Sequence, residues 1–270
     1  MLVVAGIVLI AVFAGLFGSM LGIGGGVIIV PLLTLGFGVP IKQAIATSAV
    51  CVIATSAVAQ LAFMRRGMTN VRLGLVLEIA STAGAVLGGI TAVLVDGRLL
   101  QVAFALVLVY VVWQMSRRRD DVQPARTGLM ECTYVDQAPD VTVTYGVRRL
   151  PLGFVLSIGA GNLAGLLGVG GGVFKVPIMN LLMGVPLRAT IATSNLMIGV
   201  TAATAAVLFY SRGFVDPSHT VPAVLGILLG ARFGPRLALA LPVHVLNLIF
   251  RAVLALFALL MVAEVAGLTL

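Results

Sequence analysis

Apolar residues fill this chain in long unbroken runs; they do not alternate with polar ones. A helix needs about 20 such residues to cross a bilayer. Runs of that order occupy 1–20, 43–64, 73–95, 99–116, 150–167, 189–211, 220–241 and 245–265. Two shorter apolar pieces, 27–38 and 173–184, each follow a cluster of glycines. Pieces of that length read as re-entrant or broken helices. The pattern predicts an all-α polytopic membrane protein, with about eight transmembrane helices and two short broken segments.

One stretch departs from the pattern. Residues 117–149 open with Arg117, Arg118, Arg119, Asp120 and Asp121 and close with Arg148 and Arg149. Between them, Glu131 to Tyr145 alternate threonine with valine and tyrosine, which predicts a short hairpin on the membrane surface. The six arginines of this linker place it in the cytoplasm. The chain then divides into an N-terminal transmembrane repeat (1–116), a cytoplasmic linker (117–149) and a C-terminal transmembrane repeat (150–270).

The flanking parts are copies of each other. GIGGGVIIVPLLTLGFGVPIKQAIATS at 22–48 matches GVGGGVFKVPIMNLLMGVPLRATIATS at 168–194, with 15 of 27 positions identical at a constant offset of 146. The match continues at Arg66-Gly67 and Arg212-Gly213, and at Gly84-Ala85 and Gly230-Ala231. In membrane proteins such duplication points to transporters whose site lies between the repeats. Four crossings per half would make the repeats parallel, and five would make them inverted. Loop 64–72 carries Arg65, Arg66 and Arg72, whereas 211–219 carries Arg212, Asp216 and His219. That charge asymmetry favours opposite sides, hence inversion.

Composition narrows the function classes. The chain is 60% hydrophobic and 10% charged, with a mean hydropathy of +1.18. A soluble fold could not bury that much apolar surface. A water-soluble enzyme, a disordered chain and a secreted disulfide scaffold are excluded. Residues 1–20 lack a basic leader region, so they read as a retained span. The net charge of +8 reads as arginines at cytoplasmic helix ends, not as a nucleic-acid surface. Arg98, Arg232, Arg236 and Arg251 lie near helix ends, where most are expected to snorkel, with one of Arg232 or Arg251 as the alternative cation facing a cavity. Cys51 in an apolar run and Cys132 in the linker make no disulfide framework. His219 and His244 are isolated, so neither a metal site nor a catalytic triad is expected, and no cofactor is implied. Nothing in the pattern sets an oligomeric state.

Four features carry chemistry. The clusters Gly24-Gly25-Gly26 and Gly170-Gly171-Gly172 each precede a proline by five residues (Pro31, Pro177). Consecutive glycines unwind a helix, and bare peptide N–H groups at a helix start attract anions. The alternative is close packing of small residues between helices. Thr47-Ser48 and Thr193-Ser194-Asn195 offer hydroxyl and amide donors to an oxyanion without a buried charge, or cap and back-bond their own helices. Lys175 is an intramembrane cation whose counterpart is Ile29. It suits a bound anion, snorkelling, or compensation of Glu78. Glu78 is one of two carboxylates in the expected spans, and fits a proton-coupling group or a partner of Arg72. Glu264 lies near the interface.

On these residues the sequence resembles the sulfite exporter TauE/SafE family, also called the toluene-sulfonate uptake permease family. The resemblance rests on GxGGGxxxxVP followed by GVPxxxAxATS, present twice, and covers about 5–265. It implies a bacterial-type plasma-membrane permease for sulfite, sulfonates or related sulfur oxyanions. By position, Gly24–Gly26, Thr47, Ser48, Gly170–Gly172, Lys175, Thr193, Ser194 and Asn195 would line the family's central site. The differences Ile29/Lys175 and Ala49/Asn195 make that site unequal in its two halves. The expected protein is a secondary transporter in the inner membrane. It holds a small sulfur-containing anion, coupled to protons through Glu78, among membrane lipids and without nucleic acid. An anion-selective channel and a non-transporting assembly partner are the alternatives.

Overall fold

The computed structural model describes residues 2–116, 129–136 and 141–240, and beyond them Leu248, Ala252, 255–256 and 258–263. The expected span at 245–265 therefore lies largely outside the described residues, as do Arg117–Asp121, His244, Arg251 and Glu264. The first half runs α1 (Leu2–Leu21), α2 (Gly26–Pro31), α3 (Ile41–Met64), α4 (Val71–Leu94) and α5 (Gly97–Ser116). A two-stranded antiparallel hairpin follows, β1 (Leu129–Asp136) with β2 (Val141–Val147), in which Thr133 faces Thr144. The second half runs α6 (Leu150–Leu167), α7 (Gly172–Pro177), α8 (Leu187–Ser211) and α9 (Pro217–Ala240).

Local chemistry sets the boundaries. Pro31 and Pro177 lack the N–H that an α-turn needs, and each short helix widens past its proline into a π-turn, Leu32–Gly36 and Ile178–Leu182. Pro40 and Pro186 hold the extended backbone that launches α3 and α8. Both helices begin two residues ahead of the expected 43 and 189, because a proline is well tolerated just outside a helix start. Asn70 caps α4 by accepting the Leu73 N–H at 3.1 Å, and its counterpart Asp216 accepts the Ser218 N–H at 2.9 Å before α9.

Among the described residues, α1, α3, α4, α6 and α8 are long and apolar enough to cross a membrane. Helix α5 is apolar over Gly97–Tyr110, and α9, which carries Arg232, Arg236 and two internal prolines, is less so. Leu9, Leu75, Ile79, Leu106, Val155 and Val207 point outward and exposed, which suits a lipid-facing surface. Both cysteines are free.

Glycines let two helix pairs touch backbone to backbone. A Cβ at Gly84 or Gly88 would strike the carbonyl oxygens of Ile158 and Asn162 on α6. Likewise a Cβ at Gly226 or Gly230 would strike those of Val8 and Val12 on α1. Contacts advance together by four residues, so α4 runs parallel to α6 and α1 parallel to α9. These are small-xxx-small faces, the usual device for close approach in lipid. Ile158 and Val12, like Gly230 and Gly84, are 146 residues apart, so the α4–α6 contact between the halves recurs as the α9–α1 contact.

Each glycine break is the tip of a helical hairpin. Gly6 of α1 faces Phe37 beyond α2, and Gly25 lies against the Ala14 carbonyl. In the second half Gly153 faces Met183, and Gly171 lies against Ala160 and Ala164. Helices α3 and α8 cross antiparallel: Val52 packs with Ile198, and Ser56 bonds backward to Asn195. The Lys42 ammonium, at the start of α3, bonds the Val93 carbonyl at the end of α4 and lies 5.6 Å from the Phe214 ring in the α8–α9 turn. The β-hairpin sits at the other end, where Asn70 Nδ2 donates to the Met130 carbonyl. Buried Tyr134 and Tyr145 pack there with Phe63, Leu73, Met179 and Met183.

Candidate functional site

The two hairpin tips meet at mid-length of α3 and α8. Gly22, Gly24 and Gly25 have φ of 71°, 82° and 77°, and Gly168, Gly170 and Gly171 have 65°, 70° and 74°. Only glycine holds such a run without strain. The expected unwinding of both clusters is present. Side chains at Gly24 and Gly170 would both collide with Val52 and Ile198, residues that are themselves 146 apart. A Cβ at Gly26 would strike Gly168 and Val169, and one at Gly172 would strike Gly22 and Ile23.

The serines latch the tips crosswise. Ser48 Oγ of α3 donates to the Gly168 carbonyl at 2.7 Å, and Ser194 Oγ of α8 donates to the Gly22 carbonyl at 2.7 Å. Each repeat thus holds the glycine turn of the other. The threonines beside them tie down neighbouring helix starts. Thr47 shares a 2.9 Å bond with Thr220 of α9, and Thr193 Oγ1 accepts the Asn70 N–H at 3.0 Å. Asn195 Nδ2 donates to the Ser19 and Ile191 carbonyls, while its Oδ1 is buried without a partner. Thr47, Ser48, Thr193, Ser194 and Asn195 are fully buried. Ser48→Ala and Ser194→Ala each strand a buried carbonyl, and each is expected to cost about 1–3 kcal/mol. Denaturation in detergent checks this, and the two losses should be similar because the bonds are equivalent.

Lys175 and Glu78 find each other. Lys175 Nζ donates to Glu78 Oε2 at 3.0 Å, and the two residues are 1% and 6% exposed. Thr201 Oγ1 joins them, 2.5 Å from Lys175 Nζ and 2.5 Å from Glu78 Oε1. Thr82 adds a longer bond of 3.4 Å to Glu78 Oε1. Of the sequence alternatives, compensation by Glu78 is the one observed for Lys175, and Glu78 bonds Lys175, Thr201 and Thr82. The pair bridges the repeats, from α7 to α4, and Thr201 completes it from α8.

The symmetry-related place, also built from both halves, is apolar. Ile29, Val224 and Thr55 stand where Lys175, Glu78 and Thr201 would be. Ile29 is buried with Val224 packed in the same cluster, and Thr55 only back-bonds the Cys51 carbonyl. Sequence reasoning missed Thr201, Thr220 and Asn70. A signal existed for the first: Ser194 and Thr201, like Ser48 and Thr55, are seven residues apart and so share a helix face.

A model of the family described as "Sulfite exporter TauE/SafE" matches residues 7–261. The chain belongs to the sulfite exporter TauE/SafE family. Among similar proteins is a probable membrane transporter protein, YunE, of Bacillus subtilis, 27% identical over 93% of this chain and 94% of its own length. A second from that organism, YdhB, is 24% identical over 89% and 93%. A probable membrane transporter protein of Xylella fastidiosa is 27% identical over 87% of each. No solved structure matches the chain significantly. Taken with its apolar helices, the TauE/SafE chain is a multi-pass membrane protein of a transporter family.

Proposed function

We propose that the protein is a secondary transporter moving a small sulfur-containing anion, such as sulfite or an organosulfonate, across the plasma membrane by alternating access. One observation carries the reading: two unwound glycine turns meet tip to tip, latched by serines of the opposite repeat, beside one buried lysine. Unwound peptide inside a bilayer survives only where protein or a watery cavity covers it. The anion rests on Lys175 and on the peptide N–H groups of Gly24–Gly26 and Gly170–Gly172. Thr47, Ser48, Thr193, Ser194 and Asn195 supply the remaining donors. In the closed arrangement the serines are engaged with Gly168 and Gly22. Opening toward either side frees them for substrate, so the latches and the anion compete for the same donors.

Inverted repeats suit this mechanism. The α3–α4 turn and the α8–α9 turn lie at opposite ends of α3, since Lys42 at its start neighbours Phe214. Equivalent helices that cross antiparallel are related by an axis lying across them, in the plane of the membrane. Arg65, Arg66 and Arg72 share an end with the β-hairpin, which supports a cytoplasmic linker between repeats 1–116 and 150–270.

Proteoliposomes containing the purified chain test the proposal. Radiolabelled sulfite or methanesulfonate should enter with saturable kinetics and show counterflow. Lys175→Ala should reduce the flux at least tenfold. Absence of saturable flux for every sulfur anion tried would reject the substrate class, and single-channel currents would replace the transporter with a channel.

A further inference from the structure

We infer that the Glu78 carboxylate is a resident counterion that the entering anion displaces from Lys175, and that its displacement loads a proton, so that one proton travels with each univalent anion. This rests on the reading that the anion binds at Lys175. Among the described residues, the buried interior holds one cation, Lys175, and one carboxylate, Glu78, with a net charge of zero. A univalent anion that takes the Lys175 N–H bonds leaves Glu78 as an unpaired carboxylate in a dry interior. Removing the partner of a buried ion is among the costliest changes a protein core can suffer. A proton on Glu78 cancels it. The balance is then Lys175 at +1, the anion at −1 and a neutral carboxylic acid, again zero. The empty core and the core loaded with both ligands are neutral and free to reorient; the core with anion alone is charged and is not. That exclusion is what couples the two fluxes.

Thr201 makes the exchange possible without stranding a hydroxyl. Its Oγ1 now accepts from Lys175 and donates to Glu78. It also lies 3.3 Å from the Met197 carbonyl one turn back. Once Glu78 is protonated, its O–H donates to Thr201 Oγ1, and the Thr201 hydroxyl turns its own proton to Met197. No other described titratable group competes. Helix α6 has none, α8 has Arg188 and Tyr210 near its two ends, α4 has Arg72 in its first turn, and α7 has Lys175 itself. The symmetry-related position has Ile29 and Val224 at the equivalent places, so among the described residues there is one such element and one proton.

The test uses the full chain in proteoliposomes, with a pH dye in the lumen and labelled methanesulfonate outside, a univalent anion that releases no proton of its own near neutral pH. In wild type the lumen should acidify as the anion enters, and an inward proton gradient should raise accumulation. In Glu78→Gln, which mimics the protonated acid, whatever labelled anion entry remains should come without proton entry and without response to the gradient. The double variant Glu78→Val/Lys175→Ile, which copies Val224 and Ile29, should move neither. Anion entry in wild type without proton entry overturns the inference and leaves the transport reading intact. Proton coupling that persists in Glu78→Gln or in the double variant also overturns it, whichever of the two folds. Absence of flux in wild type for every anion overturns the underlying reading instead.

Discussion

Gly88→Leu is expected to leave no folded protein in detergent, while Gly159→Ala leaves a protein at least as stable as the parent. Both glycines lie in helices of the same bundle, α4 and α6, and residue type does not separate them. A side chain at Gly88 would run into the backbone of Asn162, whereas nothing lies within 4 Å of the place a Cβ would take at Gly159. Overfilling a packed core costs about 1–3 kcal/mol even when side chains can yield. Here the obstacle is a carbonyl on a neighbouring helix, so α4 and α6 must part along the face that Gly84, Gly88, Gly161 and Gly165 build. Alanine at Gly159 instead gains up to about 1 kcal/mol of helix propensity. Size-exclusion profiles and melting in detergent read the difference. Equal behaviour of the two variants would mean that α4 and α6 do not touch as described. Gly230→Leu on α9 should repeat the failure, because Val12 stands to it as Ile158 stands to Gly84.

What the sequence revealed follows from how local each signal is. Runs of glycine before a proline announce a break whatever surrounds them, so both unwound tips were legible at Gly22–Gly26 and Gly168–Gly172. The alternation of threonine with valine announced the β-hairpin in the same way. The repeat offset was legible too, and with it the equivalence of Ser48 with Ser194. The bonds those serines make were not. Ser48 reaches Gly168 across 120 residues, and no local pattern tells a serine that back-bonds its own helix from one that grips the opposite repeat. The same distance in sequence hid the partner of Lys175. Arg72 was the nearer cation to Glu78, six residues along the same helix, but Lys175 comes from 97 positions away. Gly84 and Gly230 were legible only as a repeat match, not as packing faces with Gly88, Gly226 and Gly234 at a spacing of four. Their partner helices emerge only from the fold.

Lys175→Ile and Glu78→Val, made singly, are each expected to destabilise the protein by about 3–5 kcal/mol, and made together to restore most of the loss. Each single change leaves one charge buried without its partner, at sites that are 1% and 6% exposed. The double change removes both charges and fills the space with the residues used at the symmetry-related position, Ile29 and Val224. A well-packed apolar substitute for a buried ion pair is commonly neutral or stabilising. Thr201 then falls back on the Met197 carbonyl, as Thr55 bonds Cys51 in the first half. Unfolding in detergent gives the coupling energy directly from the four proteins. A double variant as unstable as the sum of the single ones would mean that the ion pair holds the repeats together. Recovery of stability with loss of flux would instead separate the two roles: the equivalent Ile29–Val224 position closes without charges, so the Lys175–Glu78 pair would then be needed for transport and not for the fold.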